Sequence, residues 1–268
     1  MPFIAPFTGA EFLRNPYNPY VIILRSSYYE ETEKWAQYLV NKGKKKISLL
    51  YQDDSYGNAG RDGLKKALDK RSMTLASEGT YKRNTIAVKT ALMEIENAKP
   101  DAIGMVGAYK PCAEFIKDAR KLFEGTDIPT FINLSFVGPD ALAQELGKDG
   151  DGVIVSQVVP LPTDVSIPIV ARYQKALKAS NPDASPNFIS LEGYMAGRLV
   201  IQALKDLDKN ITREKFVQYF STSRTIDLDG ITLTYGPNKN QGMDKIFLTQ
   251  INNGNFVDIT DEAETHKN

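Results

Sequence analysis

Apolar runs of strand length alternate with amphipathic helical patterns along the chain from residue 47 onward. Strands are predicted at 47–51, 73–79, 102–106 and 129–134. Helical patterns lie between them at 57–70, 88–98 and 111–123. Such alternation indicates βαβ units around a mostly parallel sheet, because two parallel neighbours need a long connection between them. We therefore predict an α/β fold with a parallel sheet flanked by helices.

The pattern changes on either side of this region. A further strand at 152–159 is stopped by Pro160-Leu161-Pro162, because proline cannot continue a hydrogen-bonded ladder. After it, the sequence predicts helices at 167–180, 189–207 and 213–221 and then short strands within 225–259. Asn252-Asn253-Gly254-Asn255 suits a hairpin turn. Before residue 47 we predict short strands at 3–5 and 21–24 and an amphipathic helix at 29–41.

Composition narrows the range of partners. Lysine and arginine together number 33, as do aspartate and glutamate, and 42% of the residues are apolar. Balanced charge favours neither nucleic acid nor an anionic membrane, so a neutral or weakly polar small ligand fits better. The longest apolar stretches, 102–106 and 153–159, are far shorter than the roughly 20 residues that a membrane span needs. No secretion-signal pattern follows Met1.

The residue types and motifs in the sequence give little support for a catalytic activity. The only histidine, His266, is close to the chain end, which argues against histidine-activated nucleophiles and histidine-containing metal sites. The only cysteine, Cys112, falls in a helical pattern and is predicted to be a core thiol. The spacing Gly57-x-x-Gly60-x-x-Gly63 differs from a dinucleotide fingerprint. We predict no enzyme activity, no cofactor and no metal.

Five segments in a common order carry a resemblance to a known family. They are Ala5-Pro6-Phe7-Thr8-Gly9-Ala10 with Leu13-Arg14, Leu24-Arg25-Ser26-Ser27-Tyr28, Tyr51-x-Asp53-x-x-Tyr56-Gly57, Gly193-Tyr194 leading to Ala203-Leu204, and Leu233-Thr234-Tyr235-Gly236-Pro237. Spread over essentially the whole chain, they resemble the branched-chain amino-acid receptor family, the type I periplasmic solute-binding proteins that serve ABC transporters.

The resemblance implies two α/β lobes joined by three crossing strands, which close on a solute in the cleft between them. Against that pattern the chain is expected to lack about 100 N-terminal residues, so that the first lobe is incomplete. Residues 1–26 would be the remnant of lobe one and its first crossing, 27–158 lobe two, 159–235 the returning lobe-one helices, and 236–268 the terminal strands and tail. Helices without a full sheet to cover would expose apolar surface near 188–207 and favour self-association.

The resemblance also places ligand contacts at strand-to-helix turns, where open α/β sheets bind their ligands. Thr8 and Gly9 would offer a hydroxyl and backbone N–H groups to a ligand carboxylate; a plain helix cap at Thr8 is the alternative. Tyr56 and Tyr109 follow two lobe-two strands, where an aromatic face and a phenolic hydroxyl can meet the solute. The alternative for each tyrosine is a rim residue that packs on its own helix.

An α-amino-acid ligand needs a partner for its ammonium group. Ser135 or Phe136 falls approximately where the amino-acid receptors place an acidic residue, and this departure argues against an α-amino-acid ligand. Glu192, near the start of a predicted helix, could substitute. The alternative for Glu192 is a first-turn carboxylate that the helix dipole favours.

Together these implications give a periplasmic or otherwise extracytoplasmic receptor that binds a small carboxylate-bearing or amino-acid-like solute in the interlobe cleft. It would deliver that solute to an ABC transporter permease. One alternative is the ligand-sensing domain of a signalling receptor with the same fold, and another is a flavodoxin-like nucleotide enzyme. Nucleic acid is not an expected partner.

Overall fold

Two compact units make up the chain, whose computed structural model describes residues 1–124, 127–209 and 211–263. The first unit combines Met1–Ser27 with Val158–Lys245. The second combines Tyr28–Gln157 with the residues from Ile246 onward. His266, the histidine noted in the sequence, lies outside the described residues.

Strands and helices alternate through much of the described chain. The strands are β1 (Phe3–Ile4), β2 (Val21–Ile22), β3 (Ile47–Gln52), β4 (Glu78–Tyr81), β5 (Ala102–Val106), β6 (Thr130–Asn133), β7 (Ile154–Gln157), β8 (Arg224–Leu228), β9 (Ile231–Tyr235), β10 (Phe247–Asn252) and β11 (Asn255–Asp258). The α-helices are α1 (Tyr28–Asn41), α2 (Ser55–Asp69), α3 (Lys89–Asn97), α4 (Tyr109–Leu122), α5 (Pro139–Leu146), α6 (Pro168–Ser180), α7 (Phe188–Leu207) and α8 (Arg213–Ser221).

A seven-stranded sheet forms the centre of the second unit, in the order β11-β10-β7-β6-β5-β3-β4. The strands from β3 to β7 pair in parallel, whereas β10 pairs antiparallel with both β7 and β11. Because parallel strands end on the same side, the turns that follow β3, β4, β5 and β6 lie along one edge of the sheet. The predicted α/β fold with a mostly parallel sheet is therefore confirmed.

The middle strands of this sheet are apolar on both faces, as strands covered by helices on both sides require. Leu49 and Leu50 of β3 and Ile103 and Met105 of β5 are fully buried. Cys112 of α4 belongs to the same core and is also fully buried, which confirms the predicted core thiol. Burial raises the pKa of the Cys112 thiol, so the reactive thiolate form is disfavoured.

One strand is displaced from its predicted position. The sequence predicts a strand at 73–79, but β4 occupies Glu78–Tyr81. The strand forms where α3 covers it closely, since a Cβ atom built on Gly79 would lie 2.8 Å from the Cβ atom of Ala91. Tyr81 is buried beneath the same cover. The paired strand thus lies under α3 and starts at Glu78, five residues after the predicted start.

The first unit contains three of the helices and two small sheets. β1 and β2 form a parallel pair, and β8 and β9 form an antiparallel hairpin. Asn187 caps α7 by accepting a hydrogen bond from the backbone N–H of Ser190 at 2.9 Å. On α7, Ile189, Ile201 and Leu204 are exposed, as expected for apolar surface near 188–207. Among the described residues, no helix is both long and apolar enough to cross a membrane.

Candidate functional site

A chain of hydrogen bonds joins three strand-to-helix turns of the second unit. Asp54 caps α2 by accepting from the backbone N–H of Tyr56 at 3.0 Å, and its other oxygen accepts from Gln52 Nε2 at 2.6 Å. Gln52 Oε1 accepts from the Tyr81 hydroxyl at 3.1 Å, and Tyr81 Oη accepts from the N–H of Ala108 at 3.0 Å. Burial raises the pKa of Tyr81, so its hydroxyl stays protonated and can donate. The turns after β3, β4 and β5 are thereby fixed relative to one another.

Three aromatic rings meet where β3 and β6 lead into the segments that follow them. Tyr28, Tyr56 and Phe136 form what we call the aromatic cluster. The ring centroid of Tyr56 lies 5.4 Å from that of Tyr28 and 4.9 Å from that of Phe136. Phe136 is 36% exposed, whereas Tyr28 is buried. The cluster gives the end of the sheet an aromatic surface on which the apolar part of a ligand can stack.

Tyr56 contributes a second feature to this surface. Its hydroxyl is buried and has no hydrogen-bond partner among the described residues. Burial holds the pKa of Tyr56 well above its usual range, so the hydroxyl is a neutral donor. A buried hydroxyl without a partner is costly, and a polar atom of a bound ligand would remove that cost. Its ring contacts are with residues outside its own helix α2.

Tyr109 is the first residue of α4 and is half-buried against the core of the second unit. It lines a cavity of about 630 Å³ together with residues of the turn after β4. The described residues show no ring contact between Tyr109 and the aromatic cluster. The structure thus places the two predicted tyrosines on neighbouring turns of one sheet edge, joined by the hydrogen bonds of Asp54, Gln52 and Tyr81.

Ser135 lies in the turn after β6 and is buried. Its backbone N–H and its hydroxyl both donate to the carboxylate of Glu31, at 2.8 and 2.9 Å. Ser156 of β7 donates to the same carboxylate at 2.5 Å. Glu31, on α1, is fully buried, and charge-assisted hydrogen bonds of this kind are the strong ones. Ser135 therefore fixes the turn that carries its neighbour Phe136.

In the first unit, Thr8 and Gly9 stand in the turn before a short 3-10 helix. Thr8 Oγ1 accepts a hydrogen bond from the backbone N–H of Ala10 at 3.2 Å, a local contact of the capping type. Thr8 is half-buried and Gly9 is buried. Arg14 braces the turn, since Nη1 donates to the carbonyl oxygen of Ala10 at 3.0 Å and Nη2 to that of Arg25 at 2.9 Å.

A buried charge pair lies beside this turn. Arg25 Nη1 is 3.6 Å from Glu192 Oε1, and the two residues are only 1% and 8% exposed. The guanidinium also lies over the ring of Phe7, with 5.1 Å between Cζ and the ring centroid. Because Phe7 directly precedes Thr8, the cation stands next to the turn for which a carboxylate ligand is predicted. Glu192 lies one turn into α7, and the guanidinium of Arg25 compensates the charge of its carboxylate.

One known family matches almost the whole length of the chain. It is described as "Periplasmic binding protein", and the match runs over residues 1–255. The chain belongs to this family. No curated protein matches it.

Several solved structures share the fold of this periplasmic binding protein. A possible leucine/isoleucine/valine-binding protein from Rhodopirellula baltica SH 1 is 34% identical with a TM-score of 0.90, and the alignment covers 100% of this chain and 73% of that one. A branched-chain amino acid ABC transporter protein from Thermus thermophilus, solved with bound valine, is 18% identical (TM-score 0.79; 96% and 71% covered). A fatty acid ABC transporter substrate-binding protein from Thermomonospora curvata is also 18% identical (TM-score 0.83; 98% and 70% covered). The resemblance to type I periplasmic binding proteins is confirmed.

Several residues of this periplasmic binding protein that form the hydrogen-bonded turns, the aromatic cluster and the Arg25–Glu192 pair could not be singled out from the sequence. Arg25 and Tyr28 stood within one of the resembling segments, and that position was the available signal. Gln52 and Tyr81 end two strands, but their hydrogen bond joins residues that are far apart in sequence. Glu31 looked like any polar residue of an amphipathic helix. The described residues contain no group of three or more His, Cys, Asp or Glu side chains that could hold a metal ion.

Proposed function

We propose that the protein is the extracytoplasmic solute-binding receptor of an ABC importer and that it binds a small carboxylate-bearing or amino-acid-like ligand. The observation that carries the proposal is the aromatic cluster at the carboxyl ends of parallel strands, in a member of the periplasmic binding protein family. The 34% identical relative is a possible leucine/isoleucine/valine-binding protein, which supports this ligand class. Delivery to an ABC transporter permease and a periplasmic location are part of this proposal, and membership of the family supports both.

Each proposed contact has a physical reason. The apolar part of the ligand stacks on Tyr56 and Phe136, where the buried Tyr56 hydroxyl also gains a partner. The turn at Thr8 and Gly9 receives the carboxylate, and the neighbouring cation of Arg25 favours an anion there. Glu192 accepts a ligand ammonium group, if the ligand has one, while it stays close to Arg25.

We predict that Tyr56→Ala and Phe136→Ala each weaken binding of L-leucine or L-valine about tenfold, because an aromatic contact of about 1.4 kcal/mol is lost. Tyr109→Ala is expected to weaken binding as well, and Thr8→Val to weaken carboxylates selectively. Titration calorimetry on the full chain measures all four variants.

Tyr20→Ala is the matched control, since Tyr20 is an exposed tyrosine away from these turns and its loss should leave affinity within about twofold. Two results would contradict the proposal. One is tightest binding of a polyamine or another cation. The other is unchanged affinity for carboxylates in the Tyr56, Tyr109 and Thr8 variants.

We further propose that two copies associate through α7, as its exposed apolar residues suggest. Ile201 and Leu204 lie three residues apart, at 47% and 38% exposure, so they stand on one face of the helix. Light scattering of the purified chain is expected to give a mass above that of one chain, and Ile201→Lys is expected to restore the monomer. A monomeric mass for the unsubstituted chain at all accessible concentrations would refute this association.

A further inference from the structure

A cavity of about 630 Å³ lies beside Tyr109 in the second unit. Its lining comes from the turn after β4, with Asn84, Ile86 and Ala87, and from the first turn of α4, with Tyr109 and Pro111. Its volume falls within the range of about 300–1,000 Å³ that is typical of small-molecule sites. The cavity opens at the same sheet edge as the aromatic cluster.

The turn after β4 holds an apolar side chain toward solvent by its own hydrogen bonds. Ile86 is 57% exposed, although it is a large apolar residue. The hydroxyl of Thr85 donates to the carbonyl oxygen of Lys82 at 2.7 Å, and the N–H of Val88 donates to that of Ile86 at 2.9 Å. Val88 is fully buried and anchors the turn to the core. Ile86 is thus held at the cavity by an anchored turn.

The charged residues that line the cavity favour one ligand class over another. No acidic residue is among those that line it, and its one cationic lining residue, Lys110, makes no ion pair within the described part of the chain. The amide of Gln52, also a lining residue, is occupied by Asp54 and Tyr81. A largely apolar lining with one cation, whose Nζ lies 6.0 Å from the ring centroid of Tyr109, disfavours a cationic ligand and suits the hydrocarbon part of an anion.

We propose that this cavity receives the apolar end of an elongated monocarboxylate, one whose hydrocarbon part is longer than a branched-chain amino-acid side chain. Tyr109 supports this proposal, because it is predicted to contact the solute and it also lines the cavity. A ligand that stacks on Tyr109 extends between that ring and Ile86. This inference rests on the proposed function and specifies its ligand class.

Calorimetry with butanoate, hexanoate and octanoate on the full chain tests the proposal. Affinity is expected to rise about fourfold for each added methylene that enters the cavity (about 0.8 kcal/mol). Ala87→Trp, which fills the cavity, should abolish this rise, so that octanoate binds no more tightly than butanoate. Ile86→Ser should weaken octanoate about tenfold. Met93→Ser is the matched control, because Met93 is an exposed apolar residue of α3 that does not line the cavity.

The outcomes separate this inference from the function on which it rests. Affinity that is independent of chain length, or octanoate binding that Ala87→Trp leaves unchanged, overturns the cavity proposal alone, provided that L-valine or butanoate still binds in a Tyr56-dependent manner. If none of these carboxylates binds, both proposals fail.

Discussion

Replacing Glu31 with alanine is expected to lower the free energy of unfolding of the second unit by about 3 kcal/mol. The substitution leaves the N–H and hydroxyl of Ser135 without their charged acceptor inside a buried site. Ser156 loses less, because its hydroxyl can donate to the carbonyl oxygen of Asn133, 3.2 Å away. Urea unfolding followed by the fluorescence of Trp35, the only tryptophan and a buried residue of the same helix, measures the change.

A matched control separates this effect from the simple loss of a helical carboxylate. Glu94 is exposed on α3, so Glu94→Ala is expected to change the unfolding free energy by less than about 0.5 kcal/mol. Glu31→Gln keeps one carbonyl acceptor and should fall between the two alanine variants. If Glu31→Ala proves as stable as Glu94→Ala, the carboxylate does not hold the turn of Ser135. The altered turn should also displace Phe136, so that Glu31→Ala weakens leucine binding under conditions where it is folded.

Gly57→Ala is expected to destabilise the second unit by about 2–3 kcal/mol, although alanine is the better helix former. A Cβ atom on Gly57 would overlap the carbonyl oxygen of Gln52 and lie 2.7 Å from its carbonyl carbon. Both partners are backbone atoms at the end of β3, so no side-chain rotation relieves the overlap. Because α2 must then move away from the strand, Tyr56 shifts with it, and leucine affinity should fall in the same variant. Urea unfolding by circular dichroism and calorimetry measure the two effects.

The opposite effect on stability is expected for Gly197→Ala, which replaces another glycine within a helix. Gly197 is exposed within α7, and a Cβ atom there would meet no other atom within 4 Å. The substitution should raise the unfolding free energy by about 0.5–1 kcal/mol, since it removes the entropic cost of a glycine in a helix. Equal effects of the two substitutions would contradict the steric account of Gly57.

Local pattern was enough to predict most of the architecture. The strand at 102–106 is β5 with the same bounds, and the hairpin turn at Asn252-Asn253-Gly254-Asn255 pairs Asn252 with Asn255. Helix α5 received no prediction, although Pro139 at its first turn and the apolar residues Leu142 and Leu146 were local signals for it. These features are local because strand alternation, helix periodicity and turn chemistry act between neighbours in sequence.

The composition of the site was predictable only in part. Tyr56, Tyr109 and Phe136 stand at turns after parallel strands, and the α/β rule for ligand positions indicates such turns from the sequence. The distant residues that contact the site residues could not be predicted from this rule. Nothing local to Ser135 points to a carboxylate 104 residues away, and nothing local to Arg25 points to Glu192.

The α/β class, the order of most of the elements, the buried thiol of Cys112 and the turns at which a ligand is expected can thus be predicted from local sequence patterns. The bonding of Ser135 to Glu31, the stacking of Tyr56 with Tyr28 and Phe136, and the link between Gln52 and Tyr81 emerge only in the folded chain. A lone hydroxyl, carboxylate or ring has many partners that would satisfy it. Which one it meets depends on the strand order and helix packing that bring distant segments together.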